Sequence, residues 1–332
     1  MTFDRLKNKK ILLTGATGMI GKELIRILLK DNSDLQTDIV AMGRSEDKAR
    51  ERLGDFWENP RFSFVEHDIN MPLGDKAEKI GHVDYVIHAA STTHPVAYAT
   101  EPVETITVNV MGLHELLEYA RAYDVERFAF LSSVEVYGEN RGDTEKFQED
   151  YCGYIDCNTM RAGYPESKRL GEALCQAYRR QYGMDIVIPR LSRVYGPTML
   201  SSDSKAIAQF IKKAQAGEDI VLKSAGNQRY SYCYAQDAAE GILTVLAKGT
   251  DGEAYNISDR NSEITLKELA EMIAELAGTK VVFEIPDSTE QAGYSKATRA
   301  VLDAGKAEAL GWQAKVGMKE GLGRILVKKA HE

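Results

Sequence analysis

Tyr164 and Lys168 stand four residues apart, which puts both side chains on one face of a helix. A free tyrosine has a pKa of about 10 and is a poor base at neutral pH. A nearby ammonium group and a nicotinamide cation favour the phenolate and lower that pKa. We therefore predict that Tyr164 exchanges a proton with a substrate hydroxyl or ketone while a hydride moves to or from a nicotinamide, and that Lys168 also holds the nicotinamide ribose.

A glycine-rich turn directly follows the strand-like run 11–14, Ile-Leu-Leu-Thr, and opens a helix. In such a turn one glycine permits the tight bend, one lets backbone N–H groups approach a pyrophosphate, and one lets the helix pack closely on the sheet. The strand before the turn and the helix after it favour a dinucleotide site over a plain glycine-rich turn. The residues expected to contact the cofactor here are Gly15, Thr17, Gly18, Met19, Ile20 and Gly21.

Arg44 stands at the end of the second predicted strand, where a protein that binds NAD usually offers an acidic side chain to the ribose. An arginine suits a 2′-phosphate instead, and Lys48 and Arg50 are nearby. We therefore expect NADP rather than NAD; the alternatives are that Arg44 stacks on the adenine or is solvated. Asp68, followed by Ile69, comes just after the third strand and is placed to meet the adenine edge.

The elements that must position these residues alternate between short apolar runs and helical patterns. Several runs are apolar throughout, as is typical of strands covered on both faces, and the alternation predicts a parallel doubly wound sheet of the Rossmann type. Strands are predicted at 10–14, 38–42, 61–66, 85–88, 127–132 and 186–190, and helices at 21–30, 45–52, 103–122 and 165–182.

The second half of the chain has a looser pattern. It predicts helices at 205–216, from 235, at 265–277 and at the C-terminus, and strands at 219–222, 254–258 and 280–285. Thr265 and Glu268 have the spacing of a capping box. We expect a dinucleotide-binding domain over residues 1–190, and over residues 191–332 a smaller α/β substrate-binding lobe that is partly interleaved with it.

Composition excludes several classes of protein. The 332 residues are 43% hydrophobic and 28% charged, with a formal net charge of −8, which argues against non-specific binding of nucleic acid. The chain lacks a run of about 18 apolar residues, so we expect no membrane span, and from the polar N-terminus we expect no signal peptide. The four cysteines have no metal-site spacing, so we expect reduced thiols, no metal and a cytoplasmic protein.

Taken together, these motifs resemble those of an extended short-chain dehydrogenase/reductase, in the group of nucleotide-sugar epimerases, dehydratases and decarboxylases. The resemblance covers nearly the whole chain. The residues that carry it are the three glycines of the turn, Asp68-Ile69, His88-Ala89-Ala90-Ser91, Asn109, Ser132-Ser133-Val134-Glu135-Val136-Tyr137-Gly138, Tyr164 with Lys168, Arg190-Leu191-Ser192-Arg193-Val194-Tyr195-Gly196-Pro197, Tyr234 with Asp237, and Leu310-Gly311-Trp312.

The resemblance implies a role for several of these residues. Ser133 would help to hold the reacting sugar oxygen, Tyr164 would be the acid/base, and Lys168 its partner. Ile69, Ala89, Ala90 and Ser91 would join the cofactor site, Ser91 and Thr92 would line the cleft, and Asn109 would be structural or lie near the site. His88 is expected to pack against the cofactor edge rather than to act in catalysis.

Val134 departs from the pattern of the dehydratases, which carry an Asp-Glu pair directly after the hydroxyl residue. Only Glu135 remains here as a candidate catalytic acid, so 4,6-dehydration is not expected. Decarboxylases of the family have a small polar residue before the glutamate, whereas epimerases tolerate an apolar one.

Arg193 stands where the family commonly has an asparagine, and Tyr230 stands where it commonly has an arginine for the diphosphate. We expect Arg193, together with Arg229, to hold an anionic group of the substrate by bidentate contact near Tyr230; the alternative is an internal ion pair. The segment 139–163 is either a substrate-covering loop or a solvated one. Its possible specificity contacts are Glu149, Asp150, Asn158 and Arg161.

The predicted function is NAD(P)-dependent epimerisation of a nucleotide-linked sugar through a transient keto intermediate. The alternatives are an NADPH-dependent reductase of a keto-sugar nucleotide, a nucleotide-sugar decarboxylase that uses Glu135, and a non-catalytic NADP-binding sensor or scaffold. The resemblance also implies a homodimer, formed by pairing the helices 103–122 and 165–182.

Overall fold

The computed structural model describes residues 3–93, 98, 100–284 and 298–327. The strands are β1 (Lys10–Thr14), β2 (Asp38–Gly43), β3 (Phe62–Glu66), β4 (Tyr85–His88), β5 (Arg127–Phe130), β6 (Ser132–Ser133), β7 (Ile186–Leu191), β8 (Arg193–Tyr195), β9 (Ile220–Leu222), β10 (Arg229–Tyr230), β11 (Tyr232–Tyr234), β12 (Ala254–Ile257), β13 (Ile264–Thr265), β14 (Val281–Phe283) and β15 (Arg299–Ala300). The helices are α1 (Met19–Arg26), α2 (Glu46–Leu53), α3 (Asp75–Ile80), α4 (Pro102–Ala122), α5 (Gly163–Tyr182), α6 (Ala206–Gln215), α7 (Ala235–Lys248), α8 (Leu266–Ala277), α9 (Gly305–Glu308) and α10 (Met318–Val327).

The large sheet has the strand order β12-β7-β5-β4-β1-β2-β3, and β6 extends the pairing along β7. Its strand pairs are parallel, which confirms the predicted doubly wound sheet. From β1 the chain first builds outward through β2 and β3 and then returns to add β4 on the other side. This reversal of strand order places a crevice at the carboxyl ends of β1 and β4, where such folds bind ligands.

Strands β1 and β4 match the prediction because their side chains are buried on both faces. Ile11, Leu12 and Leu13 are at most 1% exposed, and β1 and β4 have the predicted bounds. Helix α1 begins two residues before the predicted start, since Gly18 is its N-cap, and it continues as a π-helical turn over Ile27–Asp31.

Local signals explain where other helices begin. Ser45 caps α2 by accepting a hydrogen bond from the backbone N–H of Lys48 at 3.3 Å. Thr265 and Glu268 form the predicted capping box at the start of α8. The predicted strand 280–285 is shorter in the structure, which describes β14 over Val281–Phe283; residue 285 lies outside the described residues.

The second half of the chain contributes to two places. Strand β12 pairs with β7 in the large sheet, and α7 packs beside α1. The three small sheets, β13-β10-β15, β11-β8 and β14-β9, gather around a second apolar core that includes side chains of α6 and α8. The domain boundary at residue 190 remains a proposal. Among the described helices, none has both the length and the apolarity needed to cross a membrane.

Candidate active site

The glycine turn lies between β1 and α1 and touches the segment after β4. Gly15 has φ +67°, and a Cβ there would stand 2.6 Å from the carbonyl carbon of Ala89. A Cβ on Gly21 would stand 2.4 Å from the carbonyl oxygen of Gly15, so these two positions require glycine. A Cβ on Gly18 would meet only that same oxygen, at 3.2 Å, which leaves open the face above the first N–H groups of α1. The turn therefore fits a pyrophosphate.

Thr14 and His88 join the ends of β1 and β4 beneath this turn. The Thr14 hydroxyl lies 2.8 Å from His88 Nδ1 and accepts a hydrogen bond from the Ala90 N–H at 3.1 Å. Burial, helped by the charge of Lys168, lowers the pKa of His88 to about 3. His88 is therefore neutral at physiological pH, and its buried Nε2 has no hydrogen-bond partner among the described residues.

Lys168 and Tyr164 lie on α5 with their side chains buried. The Lys168 ammonium donates to the Leu131 carbonyl at 2.9 Å, and burial lowers its pKa to about 7. Burial also raises the pKa of Tyr164 to about 12, although hydrogen bonds with Ser133 and Ser91 act in the opposite direction. The expected lowering of the tyrosine pKa is therefore absent from this arrangement, because desolvation of the phenolate outweighs the nearby donors.

A buried chain of hydrogen bonds holds the start of α5 in place. Ser91 Oγ donates to Asn109 Oδ1 at 2.8 Å, and Asn109 Nδ2 donates to Ser167 Oγ at 3.0 Å. Ser167 in turn donates to the backbone carbonyl of Tyr164 at 2.7 Å. Asn109 is fully buried, so we interpret it as the residue that fixes Tyr164 relative to Ser91.

A second polar network lies behind Ser133, and the sequence analysis missed its centre, Glu172. Its carboxylate accepts from Ser132 Oγ at 2.6 Å and from two nitrogens of Arg190 at 2.9 and 2.6 Å. Glu172 follows Lys168 by one helical turn, so the spacing was the available signal. The network anchors β6, on which Ser133 lies, to α5 and β7.

Ser133, Glu135 and Arg193 are linked by a chain of contacts. The Glu135 N–H donates to Ser133 Oγ at 3.3 Å, and Glu135 Oε1 lies 3.9 Å from Arg193 Nη2. The Arg193 guanidinium carbon lies 3.5 Å from the centroid of the Tyr230 ring. Arg193 Nη1 is buried and has no hydrogen-bond partner among the described residues, so one face of this cation has a donor to offer a ligand.

Tyr98 also enters this site, and the sequence analysis did not select it. Its ring stacks on that of Tyr164 with centroids 4.9 Å apart. Burial raises its pKa, and the charge of Arg161 lowers it. Arg161 itself is exposed.

The structure places the side chain of Arg229 near two glutamates. It shares a two-residue strand with Tyr230, and neighbouring side chains of a strand point to opposite faces. Its guanidinium nitrogens lie 3.8 Å from Glu263 and 3.9 Å from Glu268. Glu149, from the predicted covering loop, also has internal partners: its carboxylate accepts from the backbone N–H of Asn256 at 2.8 Å.

The remaining predicted residues border the crevice. Arg44 directly follows β2 and is exposed, and Lys48 in α2 is also exposed. Arg50 pairs with Glu46 at 2.7 Å. Asp68 accepts a hydrogen bond from the backbone N–H of Asn70 at 3.0 Å. Ile69 is buried, while Ala89, Ala90, Ser91 and Thr92 are half-buried after β4; Asp150 and Asn158 are exposed.

The cysteines and the other metal-ligating side chains form no evident site in the described part of the chain. The four cysteines are free, with Cys152 and Cys157 exposed. No group of three or more His, Cys, Asp or Glu side chains in residues 3–93, 98, 100–284 and 298–327 is arranged to hold a metal ion.

Comparison with known proteins identifies similar chains that match almost the whole length. The model of the NAD dependent epimerase/dehydratase family matches residues 11–258. UDP-glucuronic acid decarboxylase 6 of Arabidopsis thaliana is 33% identical over 318 residues, covering 95% of this chain and 87% of the relative.

Two solved structures of similar enzymes also match almost the whole chain. DesIV, a dTDP-glucose 4,6-dehydratase from Streptomyces venezuelae with NAD bound, is 28% identical with a TM-score of 0.84, and the match covers 97% of each chain. UDP-glucose 4-epimerase from Thermotoga maritima is 25% identical with a TM-score of 0.83, covering 97% of this chain and 100% of the epimerase.

Proposed function

Because the chain belongs to the NAD-dependent epimerase/dehydratase family of nucleotide-sugar enzymes, we propose that it decarboxylates a nucleotide-linked uronic acid. The observation that carries this proposal is the position of Arg193. Its Nη1 has no hydrogen-bond partner among the described residues, and its Nη2 lies 3.9 Å from Glu135, whose backbone N–H contacts Ser133. This cation could pair with the carboxylate of a sugar whose reacting oxygen is held by Ser133. Relatives named UDP-glucuronic acid decarboxylases, 31 to 33% identical, support the same choice.

The chemistry requires a proton acceptor at the sugar 4-hydroxyl. We assign this role to Tyr164, whose phenol hydrogen-bonds with Ser133. The bound dinucleotide supplies a hydride acceptor and donor at its nicotinamide ring. A ketone at C4 is β to the carboxylate on C5, so the C–C bond can break with its electron pair moving to the ketone oxygen. Ser133 and Tyr164 then stabilise the negative oxygen by hydrogen bonding.

Carbon dioxide leaves, and a proton must be added at C5 before the hydride returns to C4. Glu135 is the carboxyl group beside Arg193, and we propose it as the donor of that proton. Lys168 holds the backbone at Leu131, two residues before Ser133, and, in this proposal, the ribose of the cofactor. No external oxidant is consumed, since the hydride removed at C4 is restored.

The substrate preference of Arg193→Gln tests the role of Arg193. A carboxylate partner predicts that the variant loses most of its preference for UDP-glucuronic acid over UDP-glucose in binding, a drop of about tenfold or more. If Arg193 holds the diphosphate instead, both ligands weaken equally. Arg260→Gln is the matched control, because Arg260 pairs with Glu308 on the surface. Unchanged binding of both ligands would exclude Arg193 from the substrate site.

Epimerisation at C4 is the second candidate, and Val134 favours it. This buried apolar residue follows Ser133 directly, as the resemblance allows in epimerases. Epimerisation shares the first step with decarboxylation but retains the carboxylate, so the two reactions differ in their product. The same valine leaves no acid at that position for a 4,6-dehydration.

Two further features belong to the proposal. Exposed Arg44 and Lys48 near the end of β2 favour NADP, whereas the related dehydratase structure contains NAD.

Exposed apolar side chains on α4 and α5 favour a homodimer through these helices, because large exposed apolar patches usually mark interfaces. Those side chains and their exposed fractions are Val103 (65%), Ile106 (41%), Met111 (55%) and Leu170 (52%).

A further inference from the structure

Arg52, at the end of α2, connects the glycine turn to the substrate half of the chain. Its Nε donates to the Thr17 carbonyl at 3.3 Å, and its Nη2 donates to the Thr198 carbonyl at 2.6 Å. These two acceptors are far apart in sequence but share one planar guanidinium. Both of these bonds are to backbone oxygens, so the positive charge of Arg52 lies beside the turn.

Thr198 makes a second connection to the same region. Its hydroxyl lies 3.3 Å from the Met19 carbonyl and 3.2 Å from Glu23 Oε1. Glu23 is buried and pairs with Arg26 at 2.8 Å, so the acceptor is itself fixed. Thr198 is thus held to the turn and to the first helix turns after it by both its backbone and its side chain.

Thr198 follows β8, the strand on which Arg193 lies, by three residues. The connection is tight: a Cβ on Gly196 would stand 2.6 Å from the Cβ of Ala235, and Met199 N–H donates to the Gly196 carbonyl at 3.2 Å. Thr198 therefore connects β8 to the glycine turn through a short, closely packed segment.

We propose that Arg52 and Thr198 are positioning residues that couple occupancy of the substrate side to retention of the dinucleotide. The inference rests on the proposed function, since it requires a nucleotide-linked substrate. A ligand that immobilises β8 stabilises the Arg52–Thr198 contact, which holds the turn closed on the pyrophosphate. By linkage, the bound dinucleotide strengthens binding on the substrate side by the same factor.

The test measures the rate at which the protein releases a reduced dinucleotide, NADH or NADPH, whichever of the two it binds more tightly. Its fluorescence is followed after a chase with the oxidised form, with and without saturating UDP. In the wild-type protein we expect UDP to slow release by about tenfold. We expect UDP to slow release by less than about twofold in two variants, Arg52→Lys and Thr198→Val. The lysine keeps the positive charge but loses the planar fork of the guanidinium.

Arg61→Met is the matched control, because Arg61 also donates to a backbone carbonyl, that of Gln36 at 3.0 Å, but lies away from the turn. It should keep the wild-type response to UDP. If UDP binds by calorimetry and leaves wild-type release unchanged, or if both variants keep the full response, the coupling is refuted while the proposed function stands. If UDP does not bind at all, the proposed function fails, and the coupling fails with it.

Discussion

The ring of Tyr98 stacks on the ring of Tyr164, with 4.9 Å between the centroids and 16° between the planes. This contact excludes water from the proposed acid/base, and burial raises the pKa of Tyr164 to about 12. Tyr98 therefore contributes to keeping the phenol neutral until a cationic nicotinamide and a substrate are both in place.

Replacing Tyr98 by leucine should lower the pKa of Tyr164, because water then reaches the phenolate and the desolvation cost falls. The basic form carries out the first step, so the rise of kcat/KM with pH should move to lower pH in Tyr98→Leu. Tyr98→Phe keeps the ring and should leave the profile in place. A profile that is unchanged in the leucine variant, or that moves to higher pH, would show that Tyr98 does not shield Tyr164.

Lys168 should make the free energy of unfolding depend on pH. Burial lowers its pKa in the folded protein to about 7 from an unfolded value near 10.5, so folding releases a proton between those values. In that window stability rises with pH, because the unfolded chain binds more protons. Lys168→Met removes this contribution. The stability of the variant relative to the wild type should fall between pH 7.5 and 9.5, by at most about 3 kcal/mol.

Urea unfolding at the two pH values measures this difference. Lys319→Met is the control, since Lys319 is 62% exposed and its replacement should give a difference that changes little with pH. A relative stability of Lys168→Met that stays constant across the window would mean that Lys168 is not buried in its neutral form.

Arg44 should determine the choice of cofactor. Its guanidinium is exposed directly after β2, where it suits a 2′-phosphate. We expect the wild type to bind NADP more tightly than NAD, and Arg44→Ala to reduce that ratio by about tenfold or more. Dissociation constants for both cofactors decide the matter, with Arg61→Ala as control. Tighter binding of NAD by the wild type would refute the preference.

Met111 and Leu170 should lie in a dimer interface. They are 55% and 52% exposed on α4 and α5, and burial against a second copy would remove both from water. Met111→Glu should give a monomer in sedimentation, with a melting temperature close to that of an unassociated wild-type chain. Phe283→Glu, on the smaller lobe, is the control and should leave the dimer intact. A wild-type protein that sediments as a monomer at all concentrations contradicts this interface.

Sequence reasoning succeeded where local pattern and backbone geometry determine structure. The run 11–13 is apolar because β1 is covered on both faces, and Gly15 is a glycine because its φ is positive and Ala89 is close. Thr265 and Glu268 form their capping box within a single turn, so spacing alone predicts it.

The remaining features depend on contacts between distant segments. Arg52 and Thr198 are 146 residues apart, and no local periodicity links them. Tyr98 lies in a stretch without a strand or helix pattern, so the sequence does not place its ring on Tyr164. Arg229 and Tyr230 are adjacent, but only the register of β10 shows that their side chains diverge.

The most direct test of the account is to incubate the purified protein with UDP-glucuronic acid and its cofactor and to identify the product. We predict a UDP-pentose, lighter than the substrate by one carbon dioxide, formed without net change in the cofactor. Tyr164→Phe should form it at least about a hundredfold more slowly. A product that keeps the mass of the substrate with an inverted C4 would establish the epimerase instead, and unchanged substrate would contradict the proposed function.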